Sequence, residues 1–426
     1  MTFVLSAYKG LTGLLDPFLP LVLNKRVQSG KEDASRLDER RGYASRTRPA
    51  GPLIWMHGAS IGESQVLLLL YEALKAERPD VHAVITTQTQ TSADLIARRN
   101  LPDLIHQMAP LDTPFASKRF LAHWTPDMAV FAEGDIWPNL IGKLDKQRIP
   151  RVLINARMTE KSRDGWMRFP ALARKIFGGF DQLLAANNST YDWLRQFAGR
   201  QVRYSGNVKY AAPPLPADEH ELASLSKIVG DRPVLAALST HPGEEAVILS
   251  VFHSLKQQLP SALLIIAPRH PERAQDINQI LKDASVYQRS KGGLPDPSAD
   301  IWLCDTLGEL GLWIRLSKLI YLGGGMPGLD IHGHNPIEPL KLNKPVISLS
   351  DISNFQQEFA DMVKADVAEL AENETDLENR IIANMTSEKP LPDNLSSGLS
   401  QYLAGEAPLN QTRDVVLAIL EKRRRR

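Results

Sequence analysis

Two open α/β units, each a parallel sheet covered by helices, form the architecture that this sequence predicts. Three observations carry that expectation. From residue 52 short apolar runs alternate with longer amphipathic ones, as strands alternate with helices around a parallel sheet. The alternation stops at YAAPPLPADEH (210–220), where three prolines and polar residues leave no periodicity, and then restarts. The chain has 426 residues, 43% of them hydrophobic, which is more than one ordinary domain and enough for two cores.

Taken in order, the elements begin with an apolar amino terminus, MTFVLSAYKGLTGLLDPFLPLVLNKR. Lys9, Asp16, Pro17 and Pro20 interrupt it before about 18 clean apolar residues accumulate, so it reads poorly as a spanning helix. It has no small-residue cleavage site behind a continuous apolar core, which argues against a secretory signal. What remains is a pair of short apolar segments ending at Lys25 and Arg26, then a basic stretch with Arg36, Arg40, Arg41, Arg46 and Arg48. Such a segment can lie in a membrane interface with its basic side chains on anionic headgroups, or pack as a helical hairpin on the protein's own surface; these residues leave both open. The tail KRRRR (422–426) is a solvated end or a second contact with the same surface.

In the first unit the runs Leu53–His57, Val81–Thr87, Met128–Ala132, Val152–Asn155 and Gln182–Ala185 have the length and apolar content of buried strands, with helical stretches such as Ser64–Ala76 and Ser92–Arg99 between them. In the second, Val234–Leu238, Leu263–Ala267, Ile301–Leu303, Leu319–Leu322 and Val346–Leu349 repeat the pattern. Ligands of such sheets bind at the carboxyl ends of the strands, so the cleft between two units is the expected site.

Composition excludes several classes. Lys plus Arg (50) and Asp plus Glu (49) nearly cancel, so no global field favours nucleic acid. A single cysteine, Cys304, excludes an internal disulfide framework and any CxxC metal knuckle, and fits a reducing compartment.

The chemistry-bearing residues follow predicted strands. LIWMHGASIGES sets a Gly/Ser loop after a strand and Glu63 near the start of a helix, where the macrodipole favours the ionised carboxylate that a general base requires. FAEGDIWPN supplies Glu133 and Asp135, and INARMTEKSRDGW supplies Asn155, Arg157, Lys161 and Arg163. In the second unit ALSTHPGEE places Ser239, Thr240 and His241 before a helix opening at about Gly243, an arrangement suited to anion capture by backbone N–H groups. IIAPRHPER brings Arg269, His270 and Arg273, whose guanidinium forks suit phosphate oxygens. The glycine run before GLDIHGHNPIEP allows close backbone approach to a ligand, with Asn335 as an N-cap, Pro336 in the first turn and Glu338 as a first-turn carboxylate able to accept ribose hydroxyls.

Each of these has a plainer competitor. His332 and His334 could ligate zinc, yet HExxH and cysteine partners are missing. Glu63 alone reads as an ordinary helix-start carboxylate, Glu133 and Asp135 as surface acids, and the Arg157–Arg168 cluster as a solvated face. GASIGES lacks the GxSxG of a nucleophile elbow. Joint placement at strand ends favours the functional reading.

HGASIGE, AEGDIWPNL, INARMTEKS, SGNVKY, STHPGEE, APRHPER, DTLGELG and GHNPIEP, collinear over about residues 1–365, resemble the 3-deoxy-D-manno-octulosonic acid (Kdo) transferases of lipopolysaccharide synthesis. The resemblance implies a GT-B glycosyltransferase: a membrane-associated segment over 1–50, an acceptor-binding Rossmann-like domain over 51–210, a linker over 211–220, and a CMP-sugar-binding domain over 221–426 with carboxyl-terminal helices. It implies inverting transfer of Kdo from CMP-Kdo to the glucosamine 6′-hydroxyl of a lipid A precursor, without a metal or other cofactor. The implied place is the cytoplasmic face of a Gram-negative inner membrane, with membrane lipids as partners and no nucleic acid. Position by position, Glu63 matches the family's general base. Glu133 and Lys209 match transition-state stabilisers, and Pro268 with Arg269, Gly308–Glu309–Leu310, and Asn335–Pro336–Ile337–Glu338 match CMP-binding segments. Two departures stand out: EGDIWPN where the family has ETELWPN, and a loop before GHN about two residues longer, with His332 in place of glycine. They keep two alternatives in view, a GT-B enzyme with another nucleotide sugar or acceptor, and a non-catalytic membrane-bound relative.

Overall fold

The computed structural model describes residues 3–424 except 31, 283–284, 293, 295–298, 388–398, 400–401 and 404. It divides into two compact units, residues 1–212 with 405–426, and residues 213–404.

The first unit is built on a seven-stranded, wholly parallel sheet: β1 (Leu53–His57), β2 (His82–Thr87), β3 (Leu104–Met108), β4 (Met128–Ala132), β5 (Arg151–Ala156), β6 (Gln182–Ala185) and β7 (Val202–Tyr204). Their order is β3-β2-β1-β4-β5-β6-β7. Chain direction across the sheet reverses between β1 and β4, the topological switch point at which such sheets bind ligands. Side chains alternate between two cores: Leu53 and Trp55 of β1 join Phe120, Phe131 and Phe177 on one face, and Ile54 and Met56 join Leu67, Leu70 and Leu74 of the helix Ile61–Glu77 on the other. The second face also contains Val416 and Leu420. The long carboxyl-terminal helix Glu406–Arg424 therefore completes the first unit's core, which corrects its expected place in the second; residues 425–426 of the basic tail lie outside the described residues.

The second unit repeats the plan with β8 (Val234–Thr240), β9 (Leu263–Pro268), β10 (Val286–Gln288), β11 (Ile301–Leu303), β12 (Leu319–Leu322), β13 (Val346–Leu349) and β14 (Ala368–Ala371), in the order β10-β11-β9-β8-β12-β13-β14. Its switch point lies between β8 and β12. All ten strands expected from sequence are present. The four not expected, β3, β7, β10 and β14, are the outer strands of the two sheets.

The amino terminus forms two helices, Phe3–Leu15 and Leu19–Gln28, separated by a turn through Asp16, Pro17 and Phe18. No helix among the described residues is long and apolar enough to cross a membrane. The hairpin is fastened to the first unit: Tyr8 donates to Asp112 (3.1 Å), Asn139 Nδ2 donates to Thr12 (2.9 Å), and Thr113 donates to Asp16. Of the five arginines behind it, Arg46 is exposed and the other four are engaged with the protein. Arg36 pairs with Glu39 and reaches His106, Arg40 is buried against Glu32 and the Ala109 carbonyl, Arg41 pairs with Asp38, and Arg48 donates to the Trp124 carbonyl.

Candidate functional site

In the first unit Glu63 and Glu133 leave β1 and β4 on either side of the switch point. Ser60 caps the helix Ile61–Glu77 by accepting from the Glu63 N–H (3.3 Å), and Glu63 folds back so that Oε2 accepts the Ala59 N–H at 2.6 Å and Oε1 the Ser60 hydroxyl at 3.2 Å. Gly58 makes this possible: a Cβ there would lie 2.9 Å from Glu63 Cβ and 3.2 Å from Leu67 Cδ1. Both carboxylate oxygens are fixed, and each keeps a further lone pair.

Burial pushes the Glu63 carboxyl above the ordinary range; the Ala59 hydrogen bond opposes this, and the charges of Glu133 and Asp135 add to it. The helix start was expected to favour the ionised form, but desolvation outweighs it. The result suits a base better, because proton affinity rises toward neutrality.

Glu133 sits at φ +57°, in the left-handed region, and its backbone bridges β5 by accepting from the Arg157 N–H (3.1 Å) and donating to the Ile154 carbonyl (3.0 Å). Lys209 Nζ is 2.6 Å from Glu133 Oε1, and Asn155 Nδ2 donates to the same oxygen at 3.3 Å. Asn155 Oδ1 in turn accepts the Val208 N–H, and Asn207 Oδ1 accepts the Lys209 N–H, so two asparagines set the turn that presents the lysine. A Cβ on Gly62 would lie 3.0 Å from Lys209 Nζ, which places the ammonium group directly over the residue before Glu63. The three expected catalytic residues are thus gathered in one place.

Sequence reasoning missed the layer beneath. His57, 1% exposed, contacts Asp135 Oδ2 through Nε2 at 3.0 Å and Thr86 Oγ1 through Nδ1 at 2.9 Å; Gln88 Nε2 donates to Asp135 Oδ2 at 2.6 Å, and Trp55 Nε1 donates to Thr86 at 2.9 Å. Burial alone would push the Asp135 carboxyl up, but hydrogen bonds and charge from His57, with bonds from Trp137 and Gln88, outweigh it and hold it below the usual aspartate value. With Asp135 ionised, His57 Nε2 carries the hydrogen. His57 opens the motif HGASIGE and ends β1, and a histidine ending a buried strand was the available signal.

At the second switch point several expected anion ligands are already engaged. The helix Glu244–Gln258 begins with two carboxylates, both fully buried. Glu244 accepts from the backbone of Gly324 (2.9 Å) and His241 (2.9 Å) and from the Tyr321 hydroxyl (2.8 Å). Glu245 binds Arg273 through both oxygens at 2.9 and 3.1 Å and accepts from Thr240 at 2.9 Å. The expected anion capture at this helix start is corrected: its own acids already occupy it, and Arg273 is a structural partner. The glycine run serves packing within the fold, since a Cβ on Gly323 would lie 2.6 Å from the Ser239 carbonyl and one on Gly325 2.5 Å from the Leu349 carbonyl.

Arg269 remains exposed beside this assembly, its N–H donating to the Thr240 carbonyl (3.1 Å) and its charge acting on His241, His334 and Glu338. Asn335 Oδ1 accepts the Ile337 N–H (3.1 Å) and Asn335 Nδ2 donates to Glu338 (3.3 Å), while burial pushes the Glu338 carboxyl up. The helix here is only the turn Ile337–Leu340, and Pro336 rather than Asn335 stands at its cap, so the expected N-cap contracts to an Asn-stabilised turn. Pro268 ends β9. Gly308, at φ +87°, leads into Glu309 and Leu310, and Glu309 pairs with Arg289 at 2.6 Å and accepts from Thr306; the backbone of this turn, not the Glu309 carboxylate, is what is left to meet a ligand. His332 and His334 do not converge. His332 contacts Asp351 at 2.9 Å and Asp330 at 3.2 Å, whereas His334 meets His241. No group of three or more His, Cys, Asp and Glu side chains suited to a metal ion occurs among the described residues.

Residues 35–212 match the family described as 3-Deoxy-D-manno-octulosonic-acid transferase (kdotransferase). The chain is 31% identical to the 3-deoxy-D-manno-octulosonic acid transferase of Rickettsia bellii over 82% of its own length and 83% of that protein's. It belongs to this family. A probable mitochondrial Kdo transferase of Arabidopsis thaliana is 32% identical over 91% of the chain and 89% of its own length, and that of Haemophilus influenzae 29% identical over 91% and 92%. Solved structures of the same fold include a UDP-N-acetylglucosamine 2-epimerase from Listeria monocytogenes and a glycosyltransferase from Rickettsia africae, each with a TM-score of 0.57 over 88% of the chain and 98% and 99% of theirs, at 14% and 11% identity. The fold is GT-B, and the chain is a glycosyltransferase of the Kdo transferase family.

Proposed function

We propose that this enzyme transfers Kdo from CMP-Kdo to the glucosamine 6′-hydroxyl of a lipid A precursor, inverting the anomeric centre without a metal. The observation that carries the reading is Glu63: a carboxylate pinned at both oxygens, raised in proton affinity by burial, beside the Lys209–Glu133 pair at the switch point. The acceptor hydroxyl gives its proton to Glu63 as its oxygen attacks the anomeric carbon from the face opposite the phosphate. The bond from that carbon to the phosphate oxygen breaks, and the electron pair leaves on CMP. Lys209, oriented by Glu133, stabilises charge developing at the reacting oxygens, while Arg269 and the backbone at 308–310 and 335–338 hold the nucleotide. Fixed cations can take the role that Mg²⁺ plays in other transferases. Purified protein with preformed CMP-Kdo, tetra-acylated precursor and excess EDTA tests this. Transfer under EDTA is the expected result; no transfer beside a working relative overturns it, and counting sugars per lipid gives the number added.

The same proposal places the protein on the cytoplasmic face of the inner membrane, lying in the interface. Leu11, Leu14, Leu15, Phe18, Leu21 and Val22 of the hairpin are all at least half exposed. Lys9, Lys118, Lys143 and Lys146 cluster near them: burial and then these three neighbouring charges hold the Lys143 ammonium below its usual value. An apolar ridge beside clustered lysines fits an anionic lipid surface. Exposed Met167 ends a helix carrying Lys161 and Arg163, and exposed Phe169 follows it, a second basic and apolar edge suited to the acceptor's phosphates and acyl chains. Leu14→Asp with Phe18→Asp should abolish sedimentation with anionic vesicles; retained binding would remove this placement.

A further inference from the structure

At the switch point of the second sheet two imidazoles meet edge to edge. His241, just beyond β8, and His334, in the loop after β12, bring Nε2 to Nε2 at 2.8 Å, with ring planes 9° apart and centroids 5.1 Å apart. Such a contact attracts only when one nitrogen carries a hydrogen and the other offers a lone pair; two N–H groups or two lone pairs repel. Two neutral rings therefore share one hydrogen at the contact and hold the second on one of the two Nδ1 atoms. Neither Nδ1 has a hydrogen-bond partner among the described residues.

The charges facing the pair are mostly positive. Arg269, His270 and Arg273 act on His241, opposed by Glu245, and Arg269 and His270 act on His334. Arg273 is balanced by Glu245, His270 lies 3.2 Å from Glu272, and Glu244 spends its oxygens on Tyr321, Gly324 and the His241 N–H. Glu338 feels Arg269 from the far end of the loop. Among the described residues no carboxylate bonds either ring, and Arg269 stands exposed next to them. Burial first, and then neighbouring positive charge, pushes both rings below the ordinary imidazole value, His334 down to about 4, which favours two neutral rings.

A neutral imidazole pair among cations lacks one thing, an anion, and an arriving phosphate would reverse the local field and draw in a proton. We propose that the His241–His334 pair faces the phosphoryl group of the donor, takes up a proton when that group binds beside Arg269, and gives a proton to the phosphate as the sugar departs. This rests on the CMP-sugar reading above. The sugar C–O bond breaks, its electron pair stays on the phosphate oxygen, a proton passes from an Nδ1–H to the phosphate, and CMP leaves as the singly protonated phosphate monoester. The pair is then neutral again, and the acceptor's proton resides on Glu63.

The test is calorimetry on the full chain at pH 7 with cytidine 5′-methylphosphate, a phosphodiester that does not titrate near neutrality, in two buffers of different ionisation enthalpy. Uptake of about one proton per ligand is expected, read from the buffer dependence of the heat. His241→Asn and His334→Asn should bind without uptake and lower kcat by about 10²-fold, with KM for the acceptor unchanged. Binding by the wild type without uptake overturns the pair's role and leaves the donor reading intact. Unchanged uptake in both variants does the same. If the cytidine ligand fails to bind while its uridine counterpart binds, the CMP reading itself falls, and this role with it.

Discussion

At the crossing point of the first sheet the chain gathers carboxylates, Glu63, Glu133 and Asp135, around one lysine; at that of the second it gathers His241, His334 and Arg269. Both units reuse one parallel plan, and both contain acids at the helix after the central strand. What differs is how those acids are spent. Glu244 and Glu245 have every oxygen bonded inside the protein, so they hold a loop and an arginine in place. Glu63 keeps unused lone pairs and only partial burial, so it can still accept a proton from outside. Equivalent placement in a fold therefore says little about role until the partners of each oxygen are counted.

The largest test of that contrast is Glu63→Gln. Gln can still accept the Ala59 N–H but cannot take the acceptor's proton, so turnover should fall by about 10²–10⁴-fold, while thermal unfolding and binding of CMP stay near wild type. Full retention of turnover would make Glu63 another structural acid. Next come the two arginines of the second unit, whose positions in APRHPER look alike. Arg273→Ala leaves Glu245 buried without its charge partner and should cost about 3–5 kcal/mol of stability, measured by denaturant unfolding. Arg269→Ala should leave stability within about 0.5 kcal/mol and weaken CMP binding roughly tenfold to hundredfold, as loss of a hydrogen bond to a charged group would. Reversal of these two patterns would break the division between structural and ligand-facing cations.

The sequence-level reading reached the inner strands and stopped at the edges, for a physical reason. Inner strands such as LIWMH and LLIIAP are buried on both faces and read as continuous apolar runs. The outer strands LIHQM, VRY, VYQ and AELA are shorter or mixed, because an edge faces solvent on one side and its pattern blurs into the flanking loops. The helix Glu406–Arg424 was assigned to the wrong unit because no local signal records a return over some 200 residues; only its packing on Val66 to Leu74 does. The candidate carboxylates Glu63 and Glu133 were legible because they follow strands in short polar motifs. Of the partners that tune them, His57 opens HGASIGE at the end of β1, whereas Thr86 in β2 and Gln88 just beyond it carry no motif of their own. The basic run at 36–48 reads as one surface feature in sequence, whereas the structure turns Arg36, Arg40 and Arg48 to internal carboxylates or carbonyls and leaves Arg46 exposed.

The smallest effect concerns Asp135. Its hydrogen bonds keep it charged through the neutral range, and its charge is among those that raise the Glu63 carboxyl. Removing that charge lets Glu63 lose its proton at lower pH. As the proposed base, Glu63 would work in the deprotonated form, so the acid limb of kcat/KM in Asp135→Asn should move to lower pH, with the plateau little changed. Gln88→Ala removes a donor to Asp135 without removing the charge, so its limb should stay close to wild type. Stability answers with its own sign. A carboxyl held low in the folded state contributes stability that is present above its unfolded value and lost as pH falls through its folded value. Wild type should therefore lose stability more steeply than Asp135→Asn as pH drops below the ordinary aspartate range. A limb that moved to higher pH would mean that Asp135 acts on Glu63 through position rather than charge, and the carboxylate cluster would then be a scaffold around one base rather than a set of mutually raised acids.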